Sequence, residues 1–234
     1  METSSDEFPK IQDLKSSLNI SQTFIPTNMS DCTFESKDNF IDVICDSPKW
    51  IQNIERNQIP GNVRYLKLQN SSLKVLNFSD FQNRTVYLFE IIDNIMLSEI
   101  QQNHLNPLSD ILLALSLSNT GMFARNNSIF NSFQQFNNLK YLILEDNPYL
   151  NLEGVGVEEN DEKILYNLEY LSFKGSDLQT IESQLFKPLS NSTRLTHLNL
   201  QSCNLSSIAL ETFKYLPYLE HIGKLQILSY IALQ

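Results

Sequence analysis

The sequence predicts an α/β solenoid, a stack of similar coils with short parallel strands on a concave face and irregular or short helical segments on the convex side. An internal repeat and matched apolar offsets within each copy predict this fold. An apolar-x-x-apolar-x-apolar core recurs six times, with starts 23 to 29 residues apart. The copies start at Val63, Val86, Leu112, Leu139, Leu168 and Leu195.

The fourth and sixth positions of each copy are apolar, as at Leu66 and Leu68. Since strand side chains alternate between two faces, this spacing predicts a short strand with both residues in the core. Phenylalanine stands eighteen residues after the start in four copies, and we expect it to fill the core from the convex side. These residues are Phe81, Phe130, Phe186 and Phe213. No copy can bury its apolar face alone, so stacking supplies the core.

The ninth position of every copy holds a small residue that can form hydrogen bonds. The chain turns away from the strand there, and the backbone groups that it leaves inside the coil need partners. We therefore expect these side chains to bridge neighbouring coils. They are Ser71, Asn94, Thr120, Asn147, Ser176 and Cys203. Cys203 is expected to be a buried structural thiol rather than a reactive one.

These repeats resemble those of a leucine-rich-repeat horseshoe, and the segment before them resembles the N-terminal cap of extracellular leucine-rich-repeat proteins. The resemblance depends on Val43-Ile44-Cys45 followed by Ile59-Pro60. The spacing of Cys32 and Cys45 suits one small disulfide loop. Such caps usually carry four cysteines, so a reduced, single-disulfide cap is expected here.

Cap and repeats together, over roughly residues 32–222, resemble the ectodomains of Toll-like receptors and secreted insect immune leucine-rich-repeat proteins. The resemblance implies a non-catalytic recognition role, in innate immunity or adhesion, and pairing with a second copy or with another chain.

The chain divides into an irregular leader (residues 1–31), an N-terminal cap (32–62), six leucine-rich repeats (63–218) and an incomplete repeat or truncated end (219–234). The fourth repeat contains four acidic residues between Glu158 and Glu162. They indicate either a solvated loop or a contact for a basic partner.

Composition argues against two classes of function. A net charge of −10, with few and scattered basic residues, disfavours nucleic acid, which needs a clustered basic face. The sequence contains no phosphate-loop, zinc-protease, serine-hydrolase or EF-hand pattern. We therefore expect neither an enzyme nor a bound metal or cofactor.

Eight N-x-S/T signals favour an extracellular chain. They are at Asn19, Asn28, Asn70, Asn77, Asn83, Asn126, Asn191 and Asn204. The acidic, polar N-terminus is not a signal peptide, and no stretch is apolar enough to cross a bilayer. Either the signal peptide is missing from this sequence, which we favour, or the protein is a cytosolic leucine-rich-repeat scaffold. A truncated product without a stable partner is a third interpretation.

The third, fifth and seventh positions of each strand are expected to form the concave surface, the usual contact face of solenoids. Tyrosine recurs at the third position, and aromatic residues are enriched at binding hot spots, although tyrosine is also an ordinary exposed strand residue. None of the eight signals falls on these positions. We predict that a protein ligand or co-receptor binds there. The predicted contact residues are Tyr65, Tyr141, Ile143, Tyr170, Lys174 and His197.

Overall fold

The structure, a computed structural model, describes residues 11, 14, 32–37, 40–46, 61–101, 107–122, 129–150, 152 and 165–223. These residues form a β-solenoid of stacked coils, which confirms the predicted repeat architecture. One nine-stranded sheet runs along the stack in the order β1-β2-β3-β5-β7-β8-β9-β11-β13. Its strands are β1 (Cys32–Lys37), β2 (Phe40–Asp46), β3 (Asn62–Gln69), β5 (Thr85–Asn94), β7 (Ala114–Thr120), β8 (Tyr141–Ile143), β9 (Tyr170–Ser172), β11 (His197–Asn199) and β13 (His221–Ile222).

A strand of this sheet lies in each predicted repeat, and β2 through β13 are mutually parallel. The fourth and sixth residues of all six repeats are completely buried, as predicted. They form one continuous core with the phenylalanines of the returning segments, of which Phe213 is only partly buried. Each coil therefore completes its core against its neighbours.

The turn after each strand has the same backbone conformation in every coil. The eighth residue of each repeat has a positive φ, between 50° and 73°. Asparagine, aspartate and glycine tolerate this region best, and five of the six residues are of these types. They are Asn70, Asp93, Asn119, Asp146, Gly175 and Ser202.

The ninth residue of each repeat is buried behind this turn. The Asn147 side chain accepts a hydrogen bond from the Thr120 backbone N–H (2.8 Å) and donates one to the Leu117 carbonyl (2.8 Å). The Ser176 hydroxyl donates to the Leu144 carbonyl (2.8 Å), and the Cys203 thiol donates to the Phe173 carbonyl (3.0 Å). These bonds to the preceding coil confirm the expected bridging in the C-terminal half of the stack.

The α/β class, with a helical convex side, is wrong. Within the described residues the returning segments contain no α-helix. They consist of 3₁₀ turns and of strands that pair in two small parallel sheets, β4 (Val75–Asn77) with β6 (Glu99–Gln101) and β10 (Thr180–Ile181) with β12 (Ser207–Ile208). The 3₁₀ turns are Phe78–Phe81, Ile129–Phe133, Lys187–Leu189 and Thr212–Tyr215.

The reason for this difference lies in the short returning segments. In a repeat of 23 to 29 residues, the strand, the turn and two apolar anchor residues occupy the first half. About half of each repeat remains for the return, which allows at most about three to four helical turns, and helix nucleation is costly in so short a segment. A single 3₁₀ turn suffices to direct one phenylalanine inward.

Upstream of the repeats, β1 and β2 form an antiparallel hairpin, and β2 continues the sheet in parallel with β3. Cys32 and Cys45 face each other in this hairpin and form a disulfide, as predicted. Other predictions fall outside the described residues: the acidic segment between Glu158 and Glu162, and the signals at Asn19, Asn28 and Asn126.

Candidate concave recognition face

Two rows of side chains lie on the face of the sheet that we predict to be concave, hereafter the concave face, and the register of the strands aligns them. The third positions form one row, in which each residue pairs with the next. In order they are Tyr65, Leu88, Ala114, Tyr141, Tyr170, His197 and His221. The fifth positions form the second row, and in order they are Lys67, Glu90, Ser116, Ile143, Ser172 and Asn199. The sheet therefore aligns a largely apolar row beside a largely polar one.

The N-terminal half of this face is buried. Tyr65 is 1% exposed, and its hydroxyl donates a hydrogen bond to the Glu90 carboxylate of the next coil. Beside it, the Arg64 guanidinium donates to both carboxylate oxygens of buried Asp42, at 2.8 and 2.7 Å. Such bidentate pairs fix geometry as well as charge. This half of the face is therefore a set of packed side chains with defined partners.

Burial also changes the acidity of the tyrosines on this face. It raises the pKa of Tyr65 well above its usual range, and the neighbouring Glu90 carboxylate raises it further. Burial likewise raises the pKa values of Tyr141 and Tyr170. All three phenols are thus held neutral, because ionisation would place a charge in poorly solvated surroundings.

The C-terminal half of the face is more open. The Tyr141 and Tyr170 rings lie side by side, with centroids 6.2 Å apart, and the His197 and His221 rings stack at 4.5 Å. Tyr141 and His197 are half-buried, and Lys174 and His221 are exposed. Adjacent aromatic rings at partial exposure can bury large areas against a partner at little entropic cost.

Comparison with protein-family models and with curated proteins finds no match for this chain. The site must therefore be interpreted from its own residues.

Five of the six predicted contact residues lie in the two rows and Lys174 lies in the turn after β9, but they are not equally accessible. Tyr65, Ile143 and Tyr170 are buried, which differs from the expected solvent-exposed row. Tyr141 and His197 remain half-accessible, and Lys174 is exposed. The sheet brings the third- and fifth-position residues into adjacent rows, and their role in partner binding stays a prediction.

Two residues that the sequence analysis did not select also lie on this face. Ile11 is 3% exposed and belongs to a concave apolar cluster with Tyr65, Leu88, Ala114, Ile143 and Tyr170. Leu14 packs against the same cluster. Both come from the segment that we expected to be an irregular leader. Their apolar side chains, three residues apart, were the only available signal.

The described glycosylation signals lie away from the two rows. Asn70, Asn83, Asn191 and Asn204 are exposed in turns, and Asn77 is half-buried at the end of β4. The Asn70 side chain donates a hydrogen bond to Asp46 at 2.7 Å, beside the end of β3. Surface exposure is what an attached glycan requires.

Within the described residues, no group of three or more His, Cys, Asp and Glu side chains is arranged to hold a metal ion. Burial raises the pKa of the Cys203 thiol to about 12. A thiol this weakly acidic has almost no thiolate near neutral pH, so Cys203 is a poor nucleophile.

Proposed function

We propose that the protein is an extracellular recognition module of the leucine-rich-repeat class, a receptor ectodomain or a secreted protein, that binds a protein partner on its concave face. The observation that carries this proposal is the open half of that face. There Tyr141 on β8 and His197 on β11 are half-accessible, and Lys174 is exposed in the turn that follows β9.

Membership of the leucine-rich-repeat class is supported by three properties of the coils. The repeats are 23 to 29 residues long, each contributes a parallel strand with two fully buried residues, and in the last three repeats the ninth side chain bonds to the preceding coil. Resemblance to Toll-like receptor ectodomains and a role in innate immunity belong to the same proposal.

An extracellular location is supported by the disulfide between Cys32 and Cys45, because such bonds persist in oxidising compartments. The exposed signals at Asn70, Asn83, Asn191 and Asn204 support it further. None of the helical segments in the described part of the chain has the length and hydropathy that a membrane crossing requires.

The compartment is tested on chain secreted from animal cells behind a heterologous signal peptide. Peptide mass mapping before and after glycosidase treatment should find several occupied asparagines and an intact Cys32–Cys45 bridge. A secreted chain with free Cys32 and Cys45 and no glycans would contradict the proposal and favour the cytosolic scaffold.

Recognition is tested by screening the secreted chain against a panel of displayed ectodomains and measuring each hit with a Tyr141→Ala/His197→Ala variant. We expect the partner to lose at least about tenfold in affinity, as loss of one hot-spot side chain commonly costs. Tyr149→Ala/Tyr218→Ala is the matched control, because both tyrosines are exposed and lie outside the two rows. Equal losses in the two variants, or none in the first, would refute the concave site.

A further inference from the structure

The concave face contains an apolar cluster that is separate from the core of the solenoid. Its buried members are Ile11, Tyr65, Leu88, Ala114, Ile143 and Tyr170. Leu14 and Tyr141 pack against it while remaining partly exposed. Five of the six buried residues belong to the sheet, and Ile11 comes from a distant part of the chain. A sheet face that would otherwise meet solvent is therefore covered from within the same molecule.

The covering residues form a single turn. The Leu14 backbone N–H donates a hydrogen bond to the Ile11 carbonyl at 3.3 Å. This bond places two aliphatic side chains, three residues apart, on the same side of the turn. Ile11 is 3% exposed although it belongs to no strand of the sheet. Neither Ile11 nor Leu14 belongs to a strand of the described sheet, and the side chains of both pack against the cluster.

Two small residues, Ala114 and Ser116, interrupt the rows of larger side chains beside this cluster. In the third-position row, small Ala114 lies between Leu88 and Tyr141, and in the fifth-position row Ser116 pairs with Ile143. Ala114 and Ser116 are both buried. Small side chains flanked by larger ones leave room for an inserted aliphatic group, and close packing makes that insertion favourable.

We propose that the part of the face around Ala114 and Ser116 is a binding groove for one apolar turn with aliphatic side chains three residues apart, and that Ile11 and Leu14 of the same chain are its resident, displaceable occupant. A segment from another molecule with the same aliphatic spacing can bind in the groove only by displacing Ile11 and Leu14.

The cluster extends from Tyr65 to Tyr170 and borders the recognition residue Tyr141. The inference therefore adds an intramolecular occupant to the face on which the proposed function rests, and its test uses no outside partner.

The length of the tether determines how strongly the resident turn competes with an outside segment. Residues 15–31, 17 in number, connect Leu14 to β1. A tether of this order gives its segment an effective concentration in the millimolar range. A two-side-chain contact of roughly 0.1 mM affinity would then weaken binding of an outside segment by about tenfold.

The probe is a fluorescein-labelled synthetic peptide of residues 7–18, EFPKIQDLKSSL. Fluorescence anisotropy measures its binding to the full wild-type chain and to an Ile11→Asp/Leu14→Asp variant. We expect at least about tenfold tighter binding to the variant, whose own turn no longer fits the groove. A peptide carrying the same two aspartates should bind to neither.

A matched control variant is Ile95→Asp/Leu210→Asp, because both residues are exposed aliphatic side chains that belong to neither concave row. It makes the same change in charge and should bind the peptide as weakly as wild type. An Ile11→Ala/Leu14→Ala variant, with the milder change, should give intermediate affinity. Protection of the Cys203 thiol from alkylation shows that each variant is folded.

Equal peptide affinity for wild type and for both Ile11/Leu14 variants overturns the proposal, as does the absence of binding to all of them. A wild-type dimer that the Ile11→Asp/Leu14→Asp variant converts to monomer, by light scattering, would overturn occupancy within one chain, since the turn would then be exchanged between copies. If a partner binds the Ile11/Leu14 variants as it binds wild type but no longer binds Tyr141→Ala/His197→Ala, the proposed function remains intact. Failure of the groove proposal can therefore be distinguished from failure of the proposed function.

Discussion

Replacing Asn147 by alanine removes a side chain that joins the third and fourth coils. Its amide accepts from the Thr120 backbone N–H and hydroxyl, at 2.8 and 2.7 Å, and donates to the Leu117 carbonyl at 2.8 Å. All of this lies in a part of the coil closed to solvent. The substitution leaves two backbone groups without these partners, and each unpaired buried group costs about 1–3 kcal/mol. We expect a loss of about 2–6 kcal/mol in the free energy of unfolding.

Asn94 provides a matched control, because it occupies the same ninth position and is equally buried. Neither its Nδ2 nor its Oδ1 has a hydrogen-bond partner within the described residues. Asn94→Ala breaks no such bond and should cost about 1 kcal/mol or less.

Urea denaturation followed by circular dichroism measures both variants against wild type. Losses that agree within about 0.5 kcal/mol, close to the precision expected of independent substitutions, would refute the argument that the amide bonds stabilise the stack.

Three further predictions concern single sites. Gly121→Ala should lower the free energy of unfolding by about 1–3 kcal/mol in a thermal melt, since an added Cβ would lie 2.2 Å from the Ile95 carbonyl oxygen. Gly61→Ala should be nearly neutral, because the nearest atom to its added Cβ lies at 3.9 Å. Equal effects of the two substitutions would contradict this. Cys203, with its pKa raised to about 12, should resist iodoacetamide at pH 8 until the protein is unfolded, and rapid native labelling would show an accessible thiol. The raised pKa of Tyr65 predicts that stability is intact below pH 10, the pKa of the unfolded phenol. Above pH 10 the free energy of unfolding should fall by up to about 1.4 kcal/mol per pH unit, because the unfolded phenol ionises while the folded one stays protonated. A titration at 295 nm in which every tyrosine ionises near pH 10 without unfolding would refute this prediction.

The repeating part of the fold could be predicted because it depends on local pattern. Apolar residues at the fourth and sixth positions identify the strands, since period-2 burial leaves a clear trace in sequence. The ninth-position residues, such as Asn147, could be predicted from the need to pair inward backbone groups. The left-handed conformation of the eighth position also leaves a trace in the sequence, because Asn70 and Gly175 are of types that favour it.

The convex side could not be predicted in the same way. Apolar spacings such as Leu178, Ile181, Leu185 and Leu189 fit a short helix as well as an extended segment followed by a 3₁₀ turn. Periodicity alone does not decide between them in so short a stretch.

Occupation of the concave face was hidden for a different reason. Ile11 and Leu14 make one long-range contact that does not recur among the described residues, so no repeated sequence pattern predicts it. The same contact explains why the predicted contact row is only half accessible.

A glycan placed on the concave face would test the central claim, recognition by the open half of the sheet, most directly. Lys174→Asn creates the signal N-G-S at an exposed concave residue, and Leu210→Asn creates N-E-T at an exposed residue on the returning side of the coil. Each needs one substitution, and mass mapping verifies that the new glycan is attached. Affinity for a partner found in the ectodomain screen should be abolished by the glycan at 174 and unchanged by the glycan at 210. Full binding with residue 174 glycosylated would contradict the account.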